Sequence, residues 1–314
     1  MLNMTKRVRL GKTDIYINPI GLGANAVGGH NIYSNLDDEV GKDLVRTAFH
    51  HEINFIDTAY SYGFGRSEEL IGEVVSEKKN RADVIIATKG GPKLINQKIQ
   101  FDNSPSFLKQ EVEESLKRLK TDYIDIYYIH KPDKTTPKAE AIGALKELKD
   151  DGKIRVIGVS NFSIDQLREA NQDGYVDIYQ GGYHLLDRGL ENDIIPYTIE
   201  NNISFIQFYP LAAGLLTGKF SKDSTFTDLR ARLPYFKEES YLQNLEKVEQ
   251  LRTISESKNV EMAHLVLAWY LTRDGIDSVI PGAKRPEQIV SNLKALEITL
   301  TPKEIQDIDD IFKS

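Results

Sequence analysis

Residues 53–63 read INFIDTAYSYG, an apolar, β-branched and aromatic run through Ile53, Phe55 and Ile56 that stops at a carboxylate, Asp57. Such a run predicts a strand with Asp57 at its C-terminal end. Thr58, Ala59, Tyr60, Ser61 and Tyr62 follow, then a Gly63–Gly65 turn and a helical pattern from Ser67. A phenol beside a strand-end carboxylate has little acid–base use near neutrality, because its ordinary pKa is about 10. A nearby cation would change that.

Working outward, the same strand-to-helix alternation fills the chain. Upstream, Val8–Leu10 and Ile15–Ile17 flank a polar turn and predict a hairpin; Ile20–Gly23 predicts a short strand, followed by a glycine-rich loop and a helix over Asp37–His51. Downstream, Asp83–Thr88 predicts a buried strand ending at Lys89, and Ser106–Leu119 a helix. Tyr123–Ile129 predicts a strand ending at His130. Further units follow: helix Lys138–Asp151 and strand Ile154–Val159, helix Ser163–Ala170 and strand Val176–Gln180, helix Asn192–Asn201 and strand Ile203–Phe208. An irregular segment, Gly218–Glu238, precedes helices at Tyr241–Lys258 and Met262–Thr272, a last strand at Asp277–Ile280, and helices at Pro286–Leu296 and Pro302–Phe312. Strands near Ile20, Ile53, Val84, Ile124, Ile154, Val176, Ile203 and Ser278 alternate with helices without a linker or composition shift. That pattern predicts an α/β fold, a (β/α)8 TIM barrel with an N-terminal β-hairpin and extra C-terminal helices, as one domain over residues 1–314. A doubly wound open sheet is the alternative.

Composition narrows the classes. The chain has 314 residues, 40% apolar and 28% charged, with net charge −7; the pI is about 5.5. This gives no overall basic field for nucleic acid or an acidic membrane. With no cysteine there is no disulfide or thiolate site. No apolar run approaches the roughly 20 residues of a membrane span, and MLNMTKRVRL has no apolar leader core. A cytoplasmic protein is expected. His130 lacks a second histidine at metal-ligand spacing, so no metal is expected.

Active sites of barrels lie at the C-terminal ends of the strands. Asp57, Lys89 and His130 end consecutive predicted strands, and Tyr62 follows the first of them. Lys89 is the cation Tyr62 lacks: an ammonium within a few ångström lowers a phenol's pKa by about 1–3 units. Asp57 can keep that ammonium charged, and His130 can orient a carbonyl or share the proton. Taken singly, a strand-end Lys–Asp pair is more often structural and a loop tyrosine is usually packing; their joint placement points to catalysis. His50, His51 and His264 fall within helical patterns, whereas His30 and His184 fall in loops at the mouth. Gly21–Ala26 fits G-x-G-x-x-A but opens no helix, so it is no dinucleotide fingerprint.

F-I-D-T-A at 55–59, Y-G at 62–63, T-K at 88–89, Y-I-H-K-P-D at 128–133, G-V-S-N-F at 158–162 and I-P-G-A-K-R at 280–285 together resemble the aldo-keto reductases. Within them the chain resembles the bacterial family-eleven type, which includes a reductase associated with inositol catabolism. The resemblance implies hydride transfer from a nicotinamide dinucleotide to a small-molecule carbonyl, with Asp57, Tyr62, Lys89 and His130 as the tetrad. It also implies a cofactor site, in which Gly23, Ala24 and Asn25 lie near the nicotinamide. Asp57, Ser160, Asn161 and Gln180 meet its carboxamide side, and Tyr209 lies against the ring. Pro210, Leu211, Gly214, Leu215, Lys219 and Arg230 follow the pyrophosphate, and Gly282, Ala283, Lys284, Gln288 and Asn292 take the adenosine end. Lys284-Arg285 favours NADP(H), although many family members carry arginine where this chain has Gln288. A redox-sensing regulatory subunit resembling potassium-channel β subunits is the alternative function. A Schiff-base lyase using Lys89 is disfavoured by the Asp57 pairing. Asn25, His30, Tyr33, Tyr60, Lys131, His184 and Gly218–Glu238 are candidate pocket walls.

Overall fold

The computed structural model describes residues 7–78, 80–96 and 98–313; the stretch read above for a leader lies outside them up to residue 6. Two antiparallel strands, β1 (Val8–Arg9) and β2 (Tyr16–Ile17), form the N-terminal hairpin. The barrel strands are β3 (Leu22–Gly23), β4 (Phe55–Asp57), β5 (Ile85–Gly90), β8 (Ile124–Ile129), β9 (Ile154–Ser160), β10 (Ile178–Gly182), β11 (Ser204–Phe208) and β12 (Ser278–Val279). All eight pair in parallel in chain order. Bridges from Ile20 to Val279 and from Gly23 to Gly282 bring the last strand back to the first. The ring therefore closes, and the open-sheet alternative is set aside.

Period-two alternation sorts the strand residues into two layers. Phe55, Ile85, Ala87, Ile126, Tyr128, Val156, Ile178 and Ile206 form one cluster with Leu10, Ile15 and Ile17 of the hairpin, which plugs the interior from below. The intervening residues, among them Ile56, Ile86, Tyr127, Ile157, Tyr179 and Phe205, join the second cluster beneath the helices. Gly158 leaves room for Tyr128 in the inner layer: a Cβ there would meet the Tyr128 ring at 2.3 Å.

The helices are α1 (Asp38–His50), α2 (Arg66–Ser76), α3 (Pro105–Leu119), α4 (Lys138–Asp150), α5 (Ile164–Ala170), α6 (Ile194–Glu200), α7 (Glu238–Ser257), α8 (Met262–Tyr270), α9 (Pro286–Leu293) and α10 (Pro302–Phe312). Their starts follow local chemistry. Asp37 accepts from the Glu39 and Val40 amides, and Ser163 and Thr301 make reciprocal boxes with Gln166 and Glu304.

Several boundaries differ from expectation. Strand β4 starts at Phe55; just before it, Asn54 accepts from the Asn18 amide at 2.8 Å and donates to the Tyr16 carbonyl at 2.9 Å, tying the strand to the N-terminal hairpin. Strand β10 starts at Ile178 because Asp177 binds the Ile157 amide at 3.0 Å and the Val176 amide is held by Asn171. The irregular segment contains short turns at Leu229–Arg232 and Pro234–Phe236, and α7 begins at Glu238. The largest omission is a second hairpin after β5, formed by β6 (Pro92–Ile95) and β7 (Lys98–Phe101).

Candidate active site

Inward parity carries the candidate residues to the barrel mouth. Asp57 follows Phe55, Lys89 follows Ile85 and Ala87, His130 follows Ile126 and Tyr128, and Gln180 follows Ile178, each one step above an apolar interior residue. The Lys89 ammonium reaches Asp57 Oδ1 at 2.5 Å and the Thr58 carbonyl at 2.8 Å, while Gln180 Nε2 donates to Asp57 Oδ2 at 2.7 Å. Asp57 and Lys89 are each 1% exposed. Burial pushes the Asp57 carboxyl up and the Lys89 ammonium down, and their contact opposes both shifts.

Tyr62 leaves the loop after β4, where Gly63 (φ 66°) and Gly65 (φ 100°) take left-handed backbone. Its ring centre lies 5.6 Å from the Lys89 ammonium and 6.4 Å from the His130 ring, edge to face. Among the described residues no hydrogen bond joins Lys89 to the Tyr62 hydroxyl. The expected lowering of the phenol pKa is therefore not what the structure shows. Burial, reinforced by the Asp57 carboxylate, holds Tyr62 well above its ordinary value. Burial is the main cause, because it disfavours the phenolate, and Lys89 is hydrogen-bonded to Asp57 and Thr58 and not to the phenol.

His130 is pushed down to about 3, by burial first and then by Lys89 and Lys131. Its imidazole is neutral at ordinary pH. Ser61 Oγ lies 3.4 Å from His130 Nδ1, and the Asn161 amide donates to the His130 carbonyl at 3.1 Å.

These groups open into a cavity of about 360 Å³. Of the expected cofactor residues, Gly23, Asn25, Asp57, Ser160, Asn161, Gln180, Tyr209, Pro210 and Gly282 line it. Asn161 (φ 62°) and Tyr209 (φ 59°) both hold left-handed backbone, and the Tyr209 ring is 41% exposed. Asparagine takes that conformation readily, but at Tyr209 it is strained and must be held by its surroundings.

The remaining expected cofactor residues are not among those lining that cavity. Ala24 and Ala283 are buried, and Leu211, Gly214 and Leu215 belong to the tight turn after β11. Asn25 donates to the Tyr33 hydroxyl at 3.2 Å, and the Lys284 ammonium stands 3.9 Å from the Tyr33 ring centre. Burial and the charges of Arg230 and Lys284 push the Lys219 ammonium down. Lys219, Arg230 and Lys284 are thus close enough to feel one another's charge, a set of cations suited to phosphate oxygens.

Two details differ from the sequence reading. Gln288 Oε1 accepts from the Lys284 and Arg285 amides at 2.8 and 3.2 Å, so the residue expected to take the adenosine end caps the start of α9 instead. Arg230 is clamped on Asp228, with contacts from 2.6 to 3.1 Å, and rests over Phe220 and Phe226. Asn292 sits in the last turn of α9.

Among the candidate walls only Asn25 and Lys131 border the cavity. His30 pairs with Asp38 at 2.7 Å, His184 is buried against Tyr235, and Tyr60 lies under the Arg118 guanidinium. Walls that sequence reasoning missed are Ile32, Pro92, Ile99, Phe101, Phe208 and Ile280. Three come from the β6–β7 hairpin. Its signal was present in PKLINQKIQF, two short runs around Asn96, which takes φ 49°.

The closed parallel barrel thus carries a buried lysine–aspartate pair, a tyrosine and a neutral histidine at its C-terminal mouth. The chain belongs to the Aldo/keto reductase family, whose model matches residues 19–313. It is 36% identical over 308 residues to Aldo-keto reductase YhdN of Bacillus subtilis, covering 97% of this chain and 93% of that one. It is 37% identical over 310 residues to an Escherichia coli protein named NADH-specific methylglyoxal reductase, covering 94% and 95%. Among solved structures, the glycerol dehydrogenase AKR11B4 of Gluconobacter oxydans superposes with a TM-score of 0.90 at 34% identity, covering 98% of this chain and 95% of that one. The family-eleven resemblance read from the motifs is thereby shown. Among the described residues no helix is long and apolar enough to cross a membrane.

Proposed function

We propose that the protein is an NADP(H)-dependent reductase of small aldehydes or ketones, with Tyr62 as proton donor and Lys89, Asp57 and His130 as its support. The observation that carries this reading is the buried Lys89–Asp57 pair beneath the Tyr62 ring, beside a neutral imidazole, in a cavity of about 360 Å³. When bound, the dinucleotide supplies the hydride.

The chain's own groups handle the proton and the charge. A phenol held above its ordinary pKa is fully protonated at neutral pH, which is the form that reduction consumes. As the substrate oxygen gains charge, Tyr62 donates its proton, and the Lys89 ammonium stabilises the phenolate left behind. Asp57 and Gln180 keep that ammonium charged and fixed. In the tautomer in which His130 Nδ1 accepts from Ser61 Oγ, Nε2 carries the hydrogen and donates to the carbonyl. Lys219, Arg230 and Lys284 favour the extra phosphate of NADPH. The Gln288 cap on the α9 amides works the other way, and the Escherichia coli relative's name shows that the preference is not uniform among similar chains.

The test is the nicotinamide absorbance of purified protein mixed with NADPH or NADH and either methylglyoxal or 4-nitrobenzaldehyde. Turnover favouring NADPH supports the reading. Saturable cofactor binding without turnover on any carbonyl would favour the regulatory-subunit alternative instead.

A further inference from the structure

The cavity lining holds two formally charged side chains besides the neutral His130, and they differ in one respect. Asp57 is neutralised by Lys89. Lys131 is not: among the described residues no carboxylate oxygen lies within the 4.0 Å of an ion pair from its ammonium, and it makes no side-chain hydrogen bond. The neighbouring Lys93, on the β6–β7 hairpin, is by contrast paired with Asp102 at 3.2 Å.

The surroundings of Lys131 give that free charge a direction. It follows His130 immediately in the chain, so it stands beside the residue that would meet the substrate carbonyl. Its ammonium rests 5.8 Å from the centre of the Phe101 ring, and Phe101 lines the cavity together with Pro92 and Ile99 of the same hairpin. The lysine is exposed, and Ile99 is 47% exposed. A bound molecule would therefore meet the polar tetrad at one end, an apolar hairpin face along its body, and one unpaired cation at the rim. One strongly hydrated point charge suits one carboxylate.

From this we infer that the substrate is an aldehyde with an apolar body and a carboxylate remote from the carbonyl, and that Lys131 anchors the carboxylate. The inference rests on the reductase reading above and names the substrate class of that site. Lys131 acts in binding and selection; it takes no part in proton transfer.

The experiment compares 4-formylbenzoate with its methyl ester in wild type, Lys131→Met and Lys131→Arg. Wild type should favour the acid by about five-fold or more in KM, with kcat for the two within about two-fold. Lys131→Met should abolish that preference by raising KM for the acid to that for the ester, and Lys131→Arg should restore it. The preference should also shrink on raising NaCl, as an exposed ion pair requires. A second arm measures binding alone, by calorimetry of 4-(hydroxymethyl)benzoate and its methyl ester with NADP+ present. If neither aldehyde turns over but the acid still binds more tightly than the ester, and does so only when Lys131 is present, the anchor stands and the reductase reading falls. Equal binding of acid and ester to wild type, or a preference that survives in Lys131→Met, overturns the inference.

Discussion

The Lys89 ammonium lies 5.6 Å from the centre of the Tyr62 ring, yet its hydrogen bonds go to Asp57 and the Thr58 carbonyl. The lysine is thus placed to feel charge on the phenol without sharing its proton in the resting protein. Removing the hydroxyl alone should isolate the donor role. Tyr62→Phe is expected to lower kcat by about 10²–10⁴, the usual worth of a general acid. Cofactor affinity, measured by fluorescence titration, should change less than about three-fold. Retention of wild-type kcat would remove Tyr62 from the mechanism.

The same pair is a structural hazard when halved. Lys89→Met leaves Asp57 buried at 1% exposure with only the Gln180 amide as partner. Truncating one member of a buried pair costs about 3–5 kcal/mol. Chemical denaturation should show a loss of that order. Adding Asp57→Asn to Lys89→Met should recover part of it, because the stranded charge is gone. An additive double variant would mean that the two side chains do not act as a unit.

The fold and the placement of Asp57, Lys89 and His130 at the barrel mouth were legible because both follow period two. Asp57, Lys89 and His130 each end an apolar run, and the parity that buries Phe55, Ala87 and Tyr128 also turns them inward. The β6–β7 hairpin escaped because Pro92–Phe101 interrupts a strand-to-helix connection, and its short runs compete poorly with the long alternation on either side. The reach of Lys89 escaped for another reason. Sequence placed the ammonium near Tyr62, but its hydrogen bonds go to Asp57 and the Thr58 carbonyl, and Asp57 is in turn held by Gln180 from β10. Gln288 illustrates the same limit: its type was visible, but its capping of the Lys284 amide was not.

Packing between α2 and α3 makes a test of the fold apart from chemistry. A Cβ at Gly72 would lie 2.4 Å from the Arg118 carbonyl oxygen and 2.7 Å from the Leu119 carbonyl carbon, all backbone. Neither helix can yield by a rotamer change. Gly72→Ala should destabilise the protein by about 1–3 kcal/mol, the common cost of overpacking, without altering KM for the aldehyde. A neutral thermal melt would show that the helices separate more easily than their contact implies.

Buried histidines and a buried glutamate give stability opposite pH slopes. His130 and His184 are pushed down to about 3 and about 4 by burial, so between those values and the ordinary histidine pKa near 6.5 the unfolded chain binds more protons. Stability from these residues is full above pH 6.5 and is lost as pH falls toward 4. Glu111 behaves in reverse. Burial raises its carboxyl to about 7, and one oxygen has no hydrogen-bond partner among the described residues. The folded protein then holds the extra proton between about 4.5 and 7, so stability declines as pH rises through that window. Glu111→Gln removes the decline. Melting temperatures measured from pH 5 to pH 8 should rise for the variant relative to wild type at the alkaline end and converge at the acid end. A constant offset across the range would show that Glu111 does not titrate there.

Cofactor choice is the most exposed expectation, because it sets Lys284 against Gln288. The Lys284 ammonium is held 3.9 Å from the Tyr33 ring centre, and Tyr33 in turn takes a hydrogen bond from Asn25 at the cavity wall. Lys284→Ala should weaken NADPH by about ten-fold, near 1.4 kcal/mol, and change NADH by less than about two-fold. Gln288→Arg adds charge while freeing the Lys284 and Arg285 amides from their present acceptor, so it should move the preference toward NADPH. Dissociation constants for both cofactors on both variants decide the matter. If Lys284→Ala weakens the two equally, the lysine contacts the part they share, and the selectivity for the extra phosphate resides with Lys219 or Arg230.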